Sequence, residues 1–151
     1  MKIRGDFVTN SSSSSFIVHF KNKAEKEVMF KNMCQEYGYE LAEQVFSDIE
    51  ANKMTYSAAL EYYKKHVEWA VECDVYYEMP KYRNNGYEWR RSDECKKIVD
   101  SLVEERLNKF AKEVNKRGYF SVVEYCDHTD GDLEHHIMPY EPYVKVTLNH
   151  H

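Results

Sequence analysis

Short apolar runs rich in β-branched and aromatic residues lie near the two ends of the chain, with none of comparable character between. Phe16–Phe20 (FIVHF) is the first; Tyr119–Tyr125 (YFSVVEY) and Tyr143–Leu148 (YVKVTL) are the others. Each has the length and make-up of a strand. A lone strand cannot satisfy its backbone or bury its apolar face, and the expected picture is a small sheet that joins the N-terminal run to the runs near the far end of the chain. Between them the apolar spacing is that of helices. The fold class is therefore α+β: a small antiparallel or mixed sheet from the N- and C-terminal segments, with about four helices in the middle.

The helical middle is well punctuated. Asn22 opens an N-x-x-E signal with Glu25; Val28, Phe30, Met33, Cys34 and Tyr37 follow near helical spacing, and Gly38 can end the helix at positive φ. A second helix over about Glu40–Ala51 places Leu41, Ala42, Val45, Phe46 and Ile49 on one face. Thr55 caps a third, whose stripe is Ala59, Leu60, Tyr63, Val67, Ala70 and Val71 and which ends before Pro80. The clearest helix is Asp93–Lys116, capped by Ser92, with Asp93 and Glu94 at its positive end and Gly118 beyond its last turn. A short helix around Leu133–Met138 is bounded by Pro139 and Pro142.

Residues 81–91 (KYRNNGYEWRR) carry a hairpin signal, because Asn85-Gly86 suits a two-residue type I′ turn. That register sets Arg83 opposite Glu88 and Tyr82 opposite Trp89. Four basic residues and one acid lie between Lys81 and Arg91. Tyr82, Arg83, Tyr87, Trp89 and Arg90 make this a candidate partner-binding surface, since Trp, Tyr and Arg dominate interface hot spots. Single-stranded nucleic acid is a second candidate ligand, stacking on the aromatics with phosphates on Lys81, Arg83 and Arg90.

With 151 residues the chain is expected to form a single domain over 1–151, large enough to fold without a disulfide framework. Its four cysteines are scattered with no CxxC pair, which suits a reducing cytoplasm. No run is long and apolar enough to cross a membrane, and no signal-peptide core is visible. A net charge of −5 argues against general duplex binding. Six acidic residues and no Lys or Arg fall between Glu124 and Glu141, and thirteen tyrosines offer broad contact area with a polar tip.

The densest chemistry is at 126–136 (CDHTDGDLEHH), where eight of eleven residues can ligate a metal. Asp127, His128, Asp130, Asp132, Glu134 and His135 offer the mixed carboxylate and imidazole set that divalent transition metals favour. Their spacing matches neither HExxH nor an EF-hand loop, and a solvated acidic turn is the competing reading. His150 and His151 reach this loop only if the last strand runs parallel to the one before it. No serine stands in a nucleophile elbow, and five unclustered glycines make no phosphate loop. The run Ser11, Ser12, Ser13, Ser14 and Ser15 is flanked by apolar residues on both sides, which suits a surface turn or strand entry at an ordered edge of the sheet better than a tether. Its hydroxyls and amides are a candidate anion-binding or modification site.

The opening MKIRGDFVTNSSSSSFIV resembles an N-terminal signature of uncharacterised bacterial and bacteriophage proteins, FVSNSSSSSF, with Thr9 and Asp6 as departures. The closing region from Leu133-Glu134-His135 to His150-His151 is similar to the tails of some of them. The resemblance implies a bacterial or phage source, native terminal histidines and ends that share one sheet. It implies no activity.

Two functional readings follow. The first is a small acidic cytoplasmic interaction protein that binds a protein partner, in the manner of a phage-encoded inhibitor of a host defence nuclease (anti-CRISPR-like), with the acidic stretch mimicking nucleic-acid charge. The second is a metal-dependent enzyme of hydrolase type built on the 126–136 cluster, with the metal activating water.

Overall fold

The structure, a computed structural model, describes residues 13–79, 88–126, 136–137, 140 and 143–150. The chain is α+β, and its sheet is antiparallel. Strand β1 is Ser13–Phe20; helices α1 (Lys23–Tyr37) and α2 (Tyr39–Ala51) follow, then a two-residue strand β2 (Lys53–Met54). Helices α3 (Tyr56–Glu78) and α4 (Asp93–Glu113) precede strands β3 (Tyr119–Cys126) and β4 (Val144–His150). The sheet order is β2-β3-β1-β4.

The N-terminal strand is central. It pairs with β3 from Ser13 opposite Cys126 to Phe20 opposite Tyr119, and with β4 from Ser13 opposite His150 to Val18 opposite Val144. A bulge at Lys145 shifts the second register. Both C-terminal strands run antiparallel to β1, so Cys126 and His150 come to the same end of the sheet on either side of Ser13. Length alone left this undecided; the interposed strand decides it.

A central strand has both faces covered, and Ser14 to Phe20 are all buried. Phe16, Val18 and Phe20 face Met29 and Met33 of α1 and Ala42, Val45, Phe46 and Ile49 of α2. Each large side chain buried there stabilises the fold by roughly 1.5–3 kcal/mol before entropy is counted. On the other face His19 stacks on Phe120, whose ring meets Tyr56 at 5.6 Å.

The helix boundaries have local causes. Asn22 Oδ1 accepts the Glu25 N–H at 3.0 Å, and Glu25 Oε1 accepts the Lys21 N–H at 2.8 Å, a reciprocal cap. Gly38 at φ +96° ends α1 and returns its N–H to the Cys34 carbonyl. Thr55 Oγ1 accepts from Ala58, and Ser92 Oγ accepts from Cys95, so both expected caps form. The end of α4 departs from the reading by local pattern. It stops at Glu113 instead of Lys116 because Asn115 turns away to bond residues of the sheet unit.

The described residues of 1–59 and 114–151 form one compact unit, and 60–113 form a second. Within the second, Tyr63 of α3 and Phe110 of α4 meet edge to face at 5.4 Å. Asp74 accepts a hydrogen bond from Arg106 there. The hairpin expected at 81–91 needs correction in its second arm. Glu88–Arg90 is a helical turn, closed by Arg91 and Ser92 amides on the Glu88 and Trp89 carbonyls. Ser92 Oγ also donates to the Trp89 carbonyl, so the cap of α4 organises the turn before it. The first arm and the Asn85-Gly86 turn lie outside the described residues.

Candidate functional site

Helix α1 carries more apolar surface than one core face requires. Met29 and Met33 are fully buried against the sheet, while Phe30 and Cys34 lie on an adjoining face and are only partly covered. With Phe46 of α2 they floor a groove of about 540 Å³. Phe30 stands edge-on to Phe46 at 5.1 Å and to Tyr39 at 6.1 Å; Phe46 in turn stacks on Phe20 at 6.2 Å. The floor is therefore the outer end of an aromatic column rooted in β1, which holds it rigid.

Lysines rim this floor. Lys23, Lys26 and Lys31 line the groove along with one acid, Glu27. Lys26 bonds Glu50 at 2.9 Å and holds that carboxyl below its usual range, first through the hydrogen bond and then through its charge. Among the described residues Lys23 and Lys31 have no ion-pair partner. At the far end Tyr39, 60 % exposed, donates its hydroxyl to Glu43, which raises the phenol's pKa. A second depression of about 670 Å³ on α4 is lined by Ser101, Glu104, Glu105, Lys109 and their polar neighbours. Its lining residues are all polar or charged, with no aromatic or aliphatic residue to anchor a partner.

A polar latch closes the C-terminal end of α1. Tyr140 is buried and donates its hydroxyl to Glu36, and burial followed by that bond pushes its pKa well up. Tyr37 presents its ring edge-on to His136 at 4.2 Å. The buried Nδ1 of His136 has no hydrogen-bond partner among the described residues. Tyr140→Phe is expected to lower stability by only about 1 kcal/mol in urea unfolding, because exposed Glu36 can rehydrate once released. A loss several times larger would show that the latch holds up much more of the fold than this one bond.

The residues singled out by sequence fare unevenly. Asp127, His128, Asp130, Asp132, Glu134 and His135 all lie outside the described residues, as do Tyr82, Arg83, Tyr87, Ser11, Ser12 and His151. Among the described residues no group of three or more His, Cys, Asp or Glu is placed to hold a metal ion. No helix among them is long and apolar enough to cross a membrane. Trp89 is 7 % exposed and directs its indole N–H to Glu94, so its ring is not presented for stacking. Arg90 bonds Glu72 at 3.2 Å. Ser13, Ser14 and Ser15 belong to β1; Ser14 and Ser15 are buried, and Ser15 donates to Glu124 at 3.1 Å. In the folded chain those two serines sit in a strand paired on both sides.

The groove on α1 was not singled out by sequence. Its signal is legible afterwards: KAEKEVMFKNMC places lysines at 23, 26 and 31 beside Phe30 and Cys34, while Met29 and Met33 already suffice for the core face. No protein-family model, curated protein or solved structure matches the chain.

Proposed function

We propose that this chain acts by binding a protein partner, and that the partner docks on the groove of α1 and α2. One observation carries the reading: an aromatic floor made by Phe30 and Phe46 lies partly open between lysines and rests on the buried core. Rigid aromatic anchors ringed by polar side chains are the anatomy of interface hot spots. The basic segment at 81–91 supports the reading less well, because Trp89 and Arg90 are engaged within their own unit.

Affinity capture from bacterial lysate, with the partner identified by mass spectrometry and rebuilt from purified proteins, tests this. The intact chain should bind its partner stoichiometrically, and Phe30→Asp should weaken that binding at least about tenfold. Failure to rebuild any complex would count against the reading. Stoichiometric metal in the purified chain, lost in both His128→Ala and His135→Ala, would transfer support to the hydrolase reading.

A further inference from the structure

The lysine rim assigns a chemistry to the occupant. We propose that the groove receives an amphipathic helical segment of the partner, with large apolar side chains on one stripe and carboxylates flanking them. This rests on the binding reading above and deepens it.

The groove-lining positions of α1 are 23, 26, 27, 30, 31 and 34, a single stripe at steps of three and four residues. At 1.5 Å per residue the stripe is about 16 Å long, or three helical turns. Lining positions spread over three turns of one helix, with Phe46 beside them, suit a second helix laid along α1, reading apolar anchors at i, i+3 or i+4, and i+7. Phe30 occupies the middle of the stripe and Cys34 its end, so two successive anchors of the incoming helix would meet apolar surface. Small-molecule sites, by contrast, enclose most of their ligand. Here Lys23, Glu27 and Lys31 remain exposed along the groove.

Charge then selects among helices. The protein is net negative, yet this furrow has three lysines against one glutamate. Lys26 is already answered by Glu50, whereas Lys23 and Lys31 stand one near each end of the stripe. A carboxylate-flanked helix gains at both, while a lysine-flanked helix meets like charge at Lys23 and Lys31. Cys34, a free and half-buried thiol in the groove, reports occupancy directly.

The probe is a fluorescein-labelled peptide with leucines at helical spacing and glutamates between them, compared by polarisation with its lysine-for-glutamate counterpart. The glutamate peptide should bind the intact chain at least about tenfold tighter, and less tightly as salt rises. It should also slow maleimide labelling of Cys34. Phe30→Ala should weaken it by about tenfold. The exposed pair Lys23→Glu with Lys31→Glu, which leaves the core untouched, should abolish the preference between peptides. Equal binding of both peptides would overturn the proposal, and so would a preference unaffected by the lysine pair. Displacement of the peptide by dodecanoate at its monomeric concentrations would assign the groove to an anionic lipid and also overturn it. If Phe30→Asp loses a captured partner while the peptides are not told apart, the binding reading stands and only the occupant's chemistry falls.

Discussion

Gly118→Ala should lower the unfolding free energy by roughly 3 kcal/mol or more, the largest loss expected from removing so little freedom. A Cβ at this position would lie 2.5 Å from the Phe20 carbonyl oxygen, 2.7 Å from Cε1 of His19 and 3.1 Å from the Asn115 carbonyl oxygen. None of these can step aside cheaply. Phe20 ends the central strand, the His19 ring is tied at both nitrogens, and the Asn115 carbonyl already accepts the Gly118 N–H at 2.8 Å. Gly38→Ala makes the comparison sharp. Gly38 has φ +96° and ψ 160°, a region open essentially to glycine alone, but nothing lies within 4 Å of the added carbon, so its cost is backbone strain alone, roughly 1–3 kcal/mol. Urea unfolding of the two variants should rank them in that order. Similar losses at both positions would mean that the close approach at Gly118 is not what holds the turn.

The second large effect concerns His19 and acid. Its Nδ1 lies 3.0 Å from the Tyr119 carbonyl oxygen and so must carry the proton. Nε2 is then a bare acceptor, and the Asn115 N–H donates to it at 3.0 Å. The neutral ring is the one that fits. Burial lowers its pKa below 6.5 most strongly, and Lys145 and Lys21 add to the effect; the Tyr119 carbonyl and Glu25 oppose it. A depressed folded pKa means that the unfolded chain takes up the proton first. The stabilisation is therefore complete above pH 6.5 and is lost as pH falls from there through the folded value. Within that window stability should fall with falling pH, with a slope from this group of at most about 1.4 kcal/mol per pH unit. His19→Phe keeps the volume and the stacking on Phe120 but removes both bonds. It should cost roughly 2–3 kcal/mol near pH 8 and flatten the difference profile below pH 6.5. Parallel wild-type and variant profiles through that range would refute the assignment of the slope to His19.

The bond between His19 and Asn115 also explains why α4 ends three residues before its helical pattern does. Asn115 donates its backbone N–H to His19 and its side-chain amide to the Lys21 carbonyl, and accepts from the Arg117 N–H. Residues nearly a hundred positions apart in the chain thus set a helix boundary. No window of sequence around Lys116 contains that information. The same holds at 88–90, where an Asn-Gly turn signal and matched cross-strand pairs point to a strand. The Ser92 cap and the burial of Trp89 impose a helical turn instead.

The candidate site was harder to read than the fold for a related reason. Metal-ligand and hot-spot residue types draw attention wherever they cluster, as at 126–136 and 81–91. The groove on α1 is made of ordinary residues, and only the covering of Met29 and Met33 by the sheet shows that Phe30 and Cys34 are left over. Which apolar residues of a helix become core and which become surface depends on the neighbour, not on the helix.

Sequence alone determined the α+β class, the joining of the two chain ends in one sheet, the caps at Asn22, Thr55 and Ser92, and the stop at Gly38. All of these rest on local periodicity, local side-chain bonds or the need of a lone strand for partners. The tertiary structure decided that β1 lies between β3 and β4, bringing Cys126 and His150 to one end of the sheet. It also decided that Ser14 and Ser15 are buried strand residues, that α4 stops at His19's reach, and that a lysine-rimmed apolar furrow remains on α1. Each of those depends on which surfaces meet across long sequence separations, where desolvation and steric exclusion outweigh local preference.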